Sequence, residues 1–271
     1  MTPDLASIAD RLIAAQDGAA MLAPITADWP EFSVAQAYDV LAGIEARRRA
    51  QGWWPVGRKI GFTNTTIWSR YGVFQPMWAH VWSGTVQYAS DGRATQSLQS
   101  LVQPRIEPEV VFGLSRTVPL TDDPVEVLAC VDWFAPGFEI VQSHFPDWTF
   151  KAPDCTADCG LHGRLVVGTP VPVTAENRAA LAAMLPDFGL TLSRGASVID
   201  RGVGANVLKS PALALAHLAR VLAGLPQFPP LVAGEIVTTG TITDAWPVMP
   251  GETWSSDYGA LGLEGITLTL S

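Results

Sequence analysis

Apolar residues recur at two different periods along this chain, helical at the start and strand-like afterwards. In DLASIADRLIAAQDG, Leu5, Ile8, Leu12 and Ile13 fall at the spacing of one helix face, and Gly18 is placed to close the helix. Ser33 is a suitable N-cap for a second helix through VAQAYDVLAGIEARRRAQG. That helix ends near Gly52 with Arg47, Arg48 and Arg49 in its last turns, a solvated end that suits the helix dipole. From Trp53 onward short β-like runs are broken by Gly and Pro. PVGRKIGF, IEPEVVFG, GFEIVQS, GRLVVG, FGLTLSRG, GEIVTTGTI, TWSSDYG and LEGITLTL all read as strands. Between them DPVEVLACVDWF and SPALALAHLARVLAG read as helices. The strands lack the regular βα alternation of a doubly wound sheet. The predicted fold is therefore α+β: a mixed, curled β structure over residues 53–271, with residues 1–52 as a helical region packed on it.

Composition narrows the class. At 271 residues, with 48% hydrophobic and 16% charged residues, the chain can bury a sizeable core. No apolar run approaches the roughly 20 residues of a spanning helix, and MTPDLASIADRLIAAQDG carries acids rather than a basic signal region. A soluble, cytoplasmic protein is expected. A net charge of −9 argues against nucleic acid and anionic membranes as partners. It leaves a small anionic substrate open, because local cations or a metal can overrule the global field. Cys130, Cys155 and Cys159 have no metal-ligand spacing and are expected to be reduced thiols.

The candidate chemistry starts in RIEPEVVFG, where Glu107 and Glu109 flank Pro108 at the mouth of an apolar run. In a strand both carboxylates share one face, an expensive arrangement without a positive partner. Glu139 stands in a second apolar strand, GFEIVQS. Three oxygen donors from two strands suit a hard divalent cation, although exposed faces of half-buried strands would explain each Glu as well. Lys59, in GRKIGFT, could stabilise an enolate or simply be a surface lysine. His162, in CGLHGRLVVG, could be an acid or base, or a hydrogen-bonded structural histidine. Gly240 and Thr241, in TTGTITDAWPVMPGE, could bind a carboxylate through backbone N–H and hydroxyl, and a plain turn explains them equally well.

In order along the chain, KIGFTNTTIWSRYGVFQP, IEPEVVFGL, GFEIVQSHFPDWTFKAPDCTADCGLHG, GANVLKSPALALAHLARVLA and AGEIVTTGTITDAWPVMPGETWSSDYGALG resemble the 2-keto-4-pentenoate hydratase group of the fumarylacetoacetate hydrolase superfamily. The resemblance covers nearly the whole chain. It implies a β-roll with an N-terminal helical layer, in a homo-oligomer. It implies Mg²⁺ or Mn²⁺ held by Glu107, Glu109 and Glu139, with Lys59 as active-site lysine. The implied substrate is a small 2-oxo acid, and the implied reaction is hydration of a 2-hydroxydienoate through an enolate stabilised at the metal. Decarboxylation of a vinylogous 2-oxo diacid and C–C hydrolysis of an acylpyruvate are alternatives on the same scaffold, and a non-catalytic ligand-binding paralogue is a third. Two departures from the group's pattern bear on chemistry. Met77 and Trp78 stand where relatives carry an acid, and His162 stands where a small hydroxyl is usual. His162 is accordingly a candidate acid–base group, and Trp78, with Trp82, Trp148 and Trp246, a candidate pocket wall.

Overall fold

The computed structural model describes residues 3–271, so positions 1 and 2 of the N-terminal region lie outside the described residues. The helices are α1 (Leu5–Gly18), α2 (Ile25–Asp28), α3 (Val34–Ala50), α4 (Trp68–Tyr71), α5 (Pro124–Leu128), α6 (Ala152–Ala157), α7 (Arg178–Met184) and α8 (Pro211–Ala223). The first strands are β1 (Pro55–Gly61), β2 (Met77–Trp82), β3 (Val86–Tyr88), β4 (Arg93–Gln96), β5 (Arg105–Leu114), β6 (Val131–Val141) and β7 (His162–Val167). They continue as β8 (Val171–Pro172), β9 (Gly189–Arg194), β10 (Ser197–Val203), β11 (Ile236–Thr238), β12 (Trp246–Pro247), β13 (Thr253–Asp257) and β14 (Thr267–Leu270). One mixed sheet runs β2-β1-β11-β5-β6-β7-β3, with β12 and β8 flanking β5 and β6; a second runs β10-β9-β13-β14-β4. The expected α+β fold is what the chain adopts.

The N-terminal helices begin where their caps dictate. Ser33 and Gln36 form a reciprocal capping box, Gln36 N–H donating to Ser33 Oγ and Ser33 N–H to Gln36 Oε1. Helix α1 closes on Ala19 in the left-handed region rather than on Gly18 itself. The arginine triplet is not a solvated end. Arg48 is buried, donates to Asp17 at 2.8 Å and covers the Trp53 ring, while Arg47 reaches Asp10. These pairs fasten α3 to α1. The layer joins the sheet through Tyr38, stacked on Trp78 at 5.8 Å, so that helices and sheet share one core.

Two stretches depart from the expected elements. The helix expected over DPVEVLACVDWF stops at Leu128, and Val131 begins the 11-residue strand β6. Val131, Trp133 and Phe134 are β-branched or aromatic and fit a pleated surface better than a helix end. The indole of Trp133 occupies the space a side chain would need at Gly113, directly opposite on β5. Strand β2 (MWAHVW) is buried at every position, so it shows no alternation and carries no sequence signature of its own.

Candidate active site

Register, not sequence proximity, assembles the site. In the antiparallel pair β5–β6, Glu107 lies opposite Glu139 and Glu109 opposite Gly137. Directly opposed residues share a face, so all three carboxylates project to one side of the sheet. The neighbouring row on that face contains Ala79, Lys59, Thr238, Val111 and Ala135, which brings Lys59 from β1 beside the acids. Further along, Val81, Val111, Ala135, Leu165 and Val167 form a small apolar floor. One carboxylate oxygen from each Glu lies within 4.8 Å of the others.

Each acid is held differently. Glu109, fully buried, accepts from the Thr238 hydroxyl and from the Gly240 N–H at 2.6 Å, both on Oε2, while Oε1 accepts nothing. Gly240 has φ +103°, and a Cβ there would fall 1.8 Å from Thr63 Oγ1, so only glycine brings that N–H so close. Glu139, also fully buried, accepts from His162 Nδ1 at 2.7 Å on Oε1 and faces Lys59 Nζ at 3.3 Å on Oε2. Lys59 in turn donates to the Gly160 carbonyl at 2.9 Å. Glu107 stands at the edge of the cluster: the residue as a whole is half-buried, but its carboxylate is enclosed with the other two.

The charges are unbalanced. Burial, reinforced by Glu139 and only partly offset by Lys59, pushes the Glu107 carboxyl up to about 7. Burial and the two neighbouring carboxylates push Glu109 well above its ordinary value. Burial acts on Glu139 too, but the Lys59 ammonium and His162 hold it below the usual carboxylate range. Burial works against the Lys59 ammonium, and the three acids, Glu139 foremost, overrule it and keep Lys59 charged. One ammonium does not balance three clustered carboxylates, so without a further cation Glu107 and Glu109 are driven toward their protonated forms, and a bound cation would take the place of those protons. The all-oxygen donor set and the free Oε1 of Glu109 fit a hard divalent ion.

Beside the cluster opens a cleft of about 450 Å³, into which Lys59 and Glu107 project. Phe62, Ile67, Val141, Trp148, Leu161 and Ala245 give it apolar walls, and Thr63, Asn64 and Thr241 add polar positions. Lys59 is the one cation lining it among the described residues. The nearest further guanidinium along the strand, that of Arg105, lies over the Trp148 ring at 4.0 Å and belongs to an outer groove shared with Asp147.

Six expected site residues lie elsewhere or are already engaged. Trp78 is not a cleft wall: register pairs Ala79, not Trp78, with Lys59, and the Trp78 indole packs instead against Tyr38, Phe228 and Arg58 on the opposite side of the sheet. His162 does not line the cleft; it approaches Glu139 from behind, in a separate cavity that Trp82 also lines. Gly240 and Thr241 do line the cleft, but the Gly240 N–H is committed to Glu109 and the Thr241 hydroxyl to the Thr243 carbonyl. Trp246 is half-buried and donates to Asp200. Of the four tryptophans only Trp148 forms a wall of the cleft. Thr238 and the Gly160 carbonyl, which orient Glu109 and Lys59, went unnoticed in the sequence. Thr238 stands in the quoted TTGT run, whereas a backbone carbonyl leaves no residue-type signal.

The Fumarylacetoacetate (FAA) hydrolase C-terminal family model matches residues 74–264. The 2-hydroxyhexa-2,4-dienoate hydratase of Comamonas testosteroni is 30% identical over 262 residues, spanning 96% of this chain and 95% of that protein. The 2-keto-4-pentenoate hydratase of Paraburkholderia xenovorans (strain LB400) is 32% identical over 258 residues, 94% of this chain and 91% of its own. Among solved structures, the 4-oxalocrotonate decarboxylase from Pseudomonas putida G7, complexed with magnesium and adipate, superposes with a TM-score of 0.87 at 26% identity, covering 98% of this chain and 97% of that one.

Proposed function

The chain belongs to the fumarylacetoacetate hydrolase family, and from that membership we propose that it is a divalent-metal-dependent lyase adding water to an unsaturated 2-oxo acid. The observation that carries this reading is the buried trio Glu107, Glu109 and Glu139 beside Lys59, opening into a cleft with apolar walls. The three carboxylates would hold Mg²⁺ or Mn²⁺. When bound, such an ion supplies Lewis acidity toward the oxygens of a 2-oxo acid. The Lys59 ammonium, kept charged by its acidic neighbours, stabilises the negative charge that develops on the substrate as an enolate. The walls formed by Phe62, Ile67, Val141, Leu161 and Trp148 hold the hydrocarbon part of the substrate and limit the entry of bulk water. In the net reaction, the hydroxyl of water joins C4, protons join C5 and C3, and the enol O–H gives up its proton to leave the 2-oxo group.

Decarboxylation is the second reading, favoured by the close superposition on the 4-oxalocrotonate decarboxylase. A diacid, however, would find Lys59 as the one lining cation among the described residues, with only Thr63, Asn64 and Thr241 as further polar wall positions for its second carboxylate. That supports hydration. The test is a spectrophotometric assay with Mg²⁺ on two substrates: a 2-hydroxydienoate ending in hydrogen or methyl, and the same dienoate ending in carboxylate. Loss of dienol absorbance with the first, and no CO₂ from the second, is expected. Faster CO₂ release from the diacid than hydration of the monoacid would replace the first reading by the second. The proposal extends to a cytoplasmic homo-oligomer with no nucleic-acid or membrane partner. The net charge of −9 and the exposed apolar side chains of Phe74, Leu120 and Met249 support it.

A further inference from the structure

Strands β6 and β7 pair antiparallel, with Glu139 opposite Leu165 and Ile140 opposite Arg164. Strict alternation would then give Glu139's face to Gly163 and turn His162 away. A register shift between Ile140 and Val141 intervenes, and Val141 pairs with His162 instead. The extra residue on β7 brings the imidazole onto Glu139's face, the re-aiming that a β-bulge produces. The side chain of His162 is 2% exposed and fixed at both ring nitrogens. Nδ1 lies 2.7 Å from Glu139 Oε1, and Nε2 lies 2.8 Å from Thr85 Oγ1. Thr85 Oγ1 is itself anchored by accepting from the Trp82 N–H at 3.1 Å, which leaves its hydroxyl proton for Nε2. A carboxylate oxygen 2.7 Å from Nδ1 is the natural acceptor for a proton on that nitrogen. His162 shares no wall with the Lys59 cleft, so substrate there does not reach it.

We propose that His162 is a positioning residue, holding one oxygen of Glu139 from behind so that the other is presented to the metal and to Lys59. This rests on the metal-site reading above. A carboxylate without that clamp could turn about its terminal bond and offer the cluster a different oxygen, and partners behind metal ligands commonly set affinity in this way. The cavity behind His162 is part of the inference. It has a volume of about 200 Å³, opens to solvent and is lined by Thr85, Gln142, Arg48, Arg164 and Ser100, polar side chains along which small solutes can approach the imidazole.

The test is calorimetric titration of Mg²⁺ into the parent protein, His162→Asn and His162→Leu, each checked by thermal melting. Asparagine carries its amide nitrogen at the same bond separation from the backbone as Nδ1 and keeps the donor. Leucine keeps bulk without it. The Leu variant is expected to bind Mg²⁺ about 10–100-fold more weakly, with Asn restoring most of the loss. His162→Ala provides a second measurement: free imidazole, entering through the rear cavity, should restore Mg²⁺ affinity. Parent-like affinity in His162→Leu, or an Asn variant as weak as Leu, would overturn the assignment. A parent protein that binds no Mg²⁺ would overturn the metal-site reading as well, a result distinct from either.

Discussion

At the scale of single residues, Glu107 and Lys59 separate binding from turnover. Glu107→Gln removes one ligand oxygen's charge and is expected to abolish Mg²⁺ binding without unfolding the protein, because it also relieves repulsion among three buried acids. Lys59→Ala frees Glu139 Oε2 from its ion pair and is expected to keep Mg²⁺ binding while lowering kcat by roughly 10²–10³, the range for loss of one oxyanion-stabilising donor. Magnesium titration and initial rates on the two variants check both. An active Lys59→Ala would remove Lys59 from the chemistry. The acids and the lysine were legible in the sequence because a period of two fixes the face of each Glu within a strand, and the family likeness supplied their partners. His162 and Trp78 were named without their positions. A bulge decides where the imidazole points, a one-residue register decides the face of the indole, and neither leaves a mark in residue type. Gly240 was read as a donor to substrate, but its N–H serves the buried carboxylate of Glu109.

At the scale of elements, the corner formed by α6, Asp158 and the approach to β7 is tied down by His144, whose Nδ1 lies 2.7 Å from Asp158 Oδ2 with both side chains buried. Burial lowers the imidazolium's pKa, but the Asp158 carboxylate beside it more than compensates, and His144 sits above its ordinary value of 6.5. A raised folded value means that this stabilisation is fully present below the unfolded pKa and fades as pH climbs through the higher folded one. The melting-temperature gap between the parent and His144→Gln should thus be widest below about pH 6.5 and shrink on the alkaline side. A gap that stays constant from acid to alkaline pH would show that the pair contributes no charge-linked stability. Elements with strong local signals were legible: α3 from its Ser33 cap, α8 from its apolar stripe, β5 and β7 from runs bounded by Gly. The elements missed owe their state to pairing. Val131–Phe134 becomes strand because β5 offers it a full-length partner, and β2 is buried on both faces because helix α3 covers one and the site occupies the other.

At the scale of the molecule, a helical layer and two sheets share one core, and the curled sheet keeps a second, smaller apolar cluster beside its acids on the same face. That floor gives the carboxylates their low-dielectric surroundings, and Thr238, Gly240 and His162 hold two of them against their own repulsion. No helix among the described residues is long and apolar enough to cross a membrane. The whole arrangement is costly without a cation, and the proposed function requires that the cation and the substrate bind as one unit. The most direct measurement is calorimetric titration of oxalate, which mimics the chelating end of a 2-oxo acid, with and without Mg²⁺, in the parent protein and in Glu139→Gln. Binding that requires Mg²⁺ and disappears in the variant is the expected result. Oxalate binding that is indifferent to Mg²⁺, or that survives in Glu139→Gln, would contradict it.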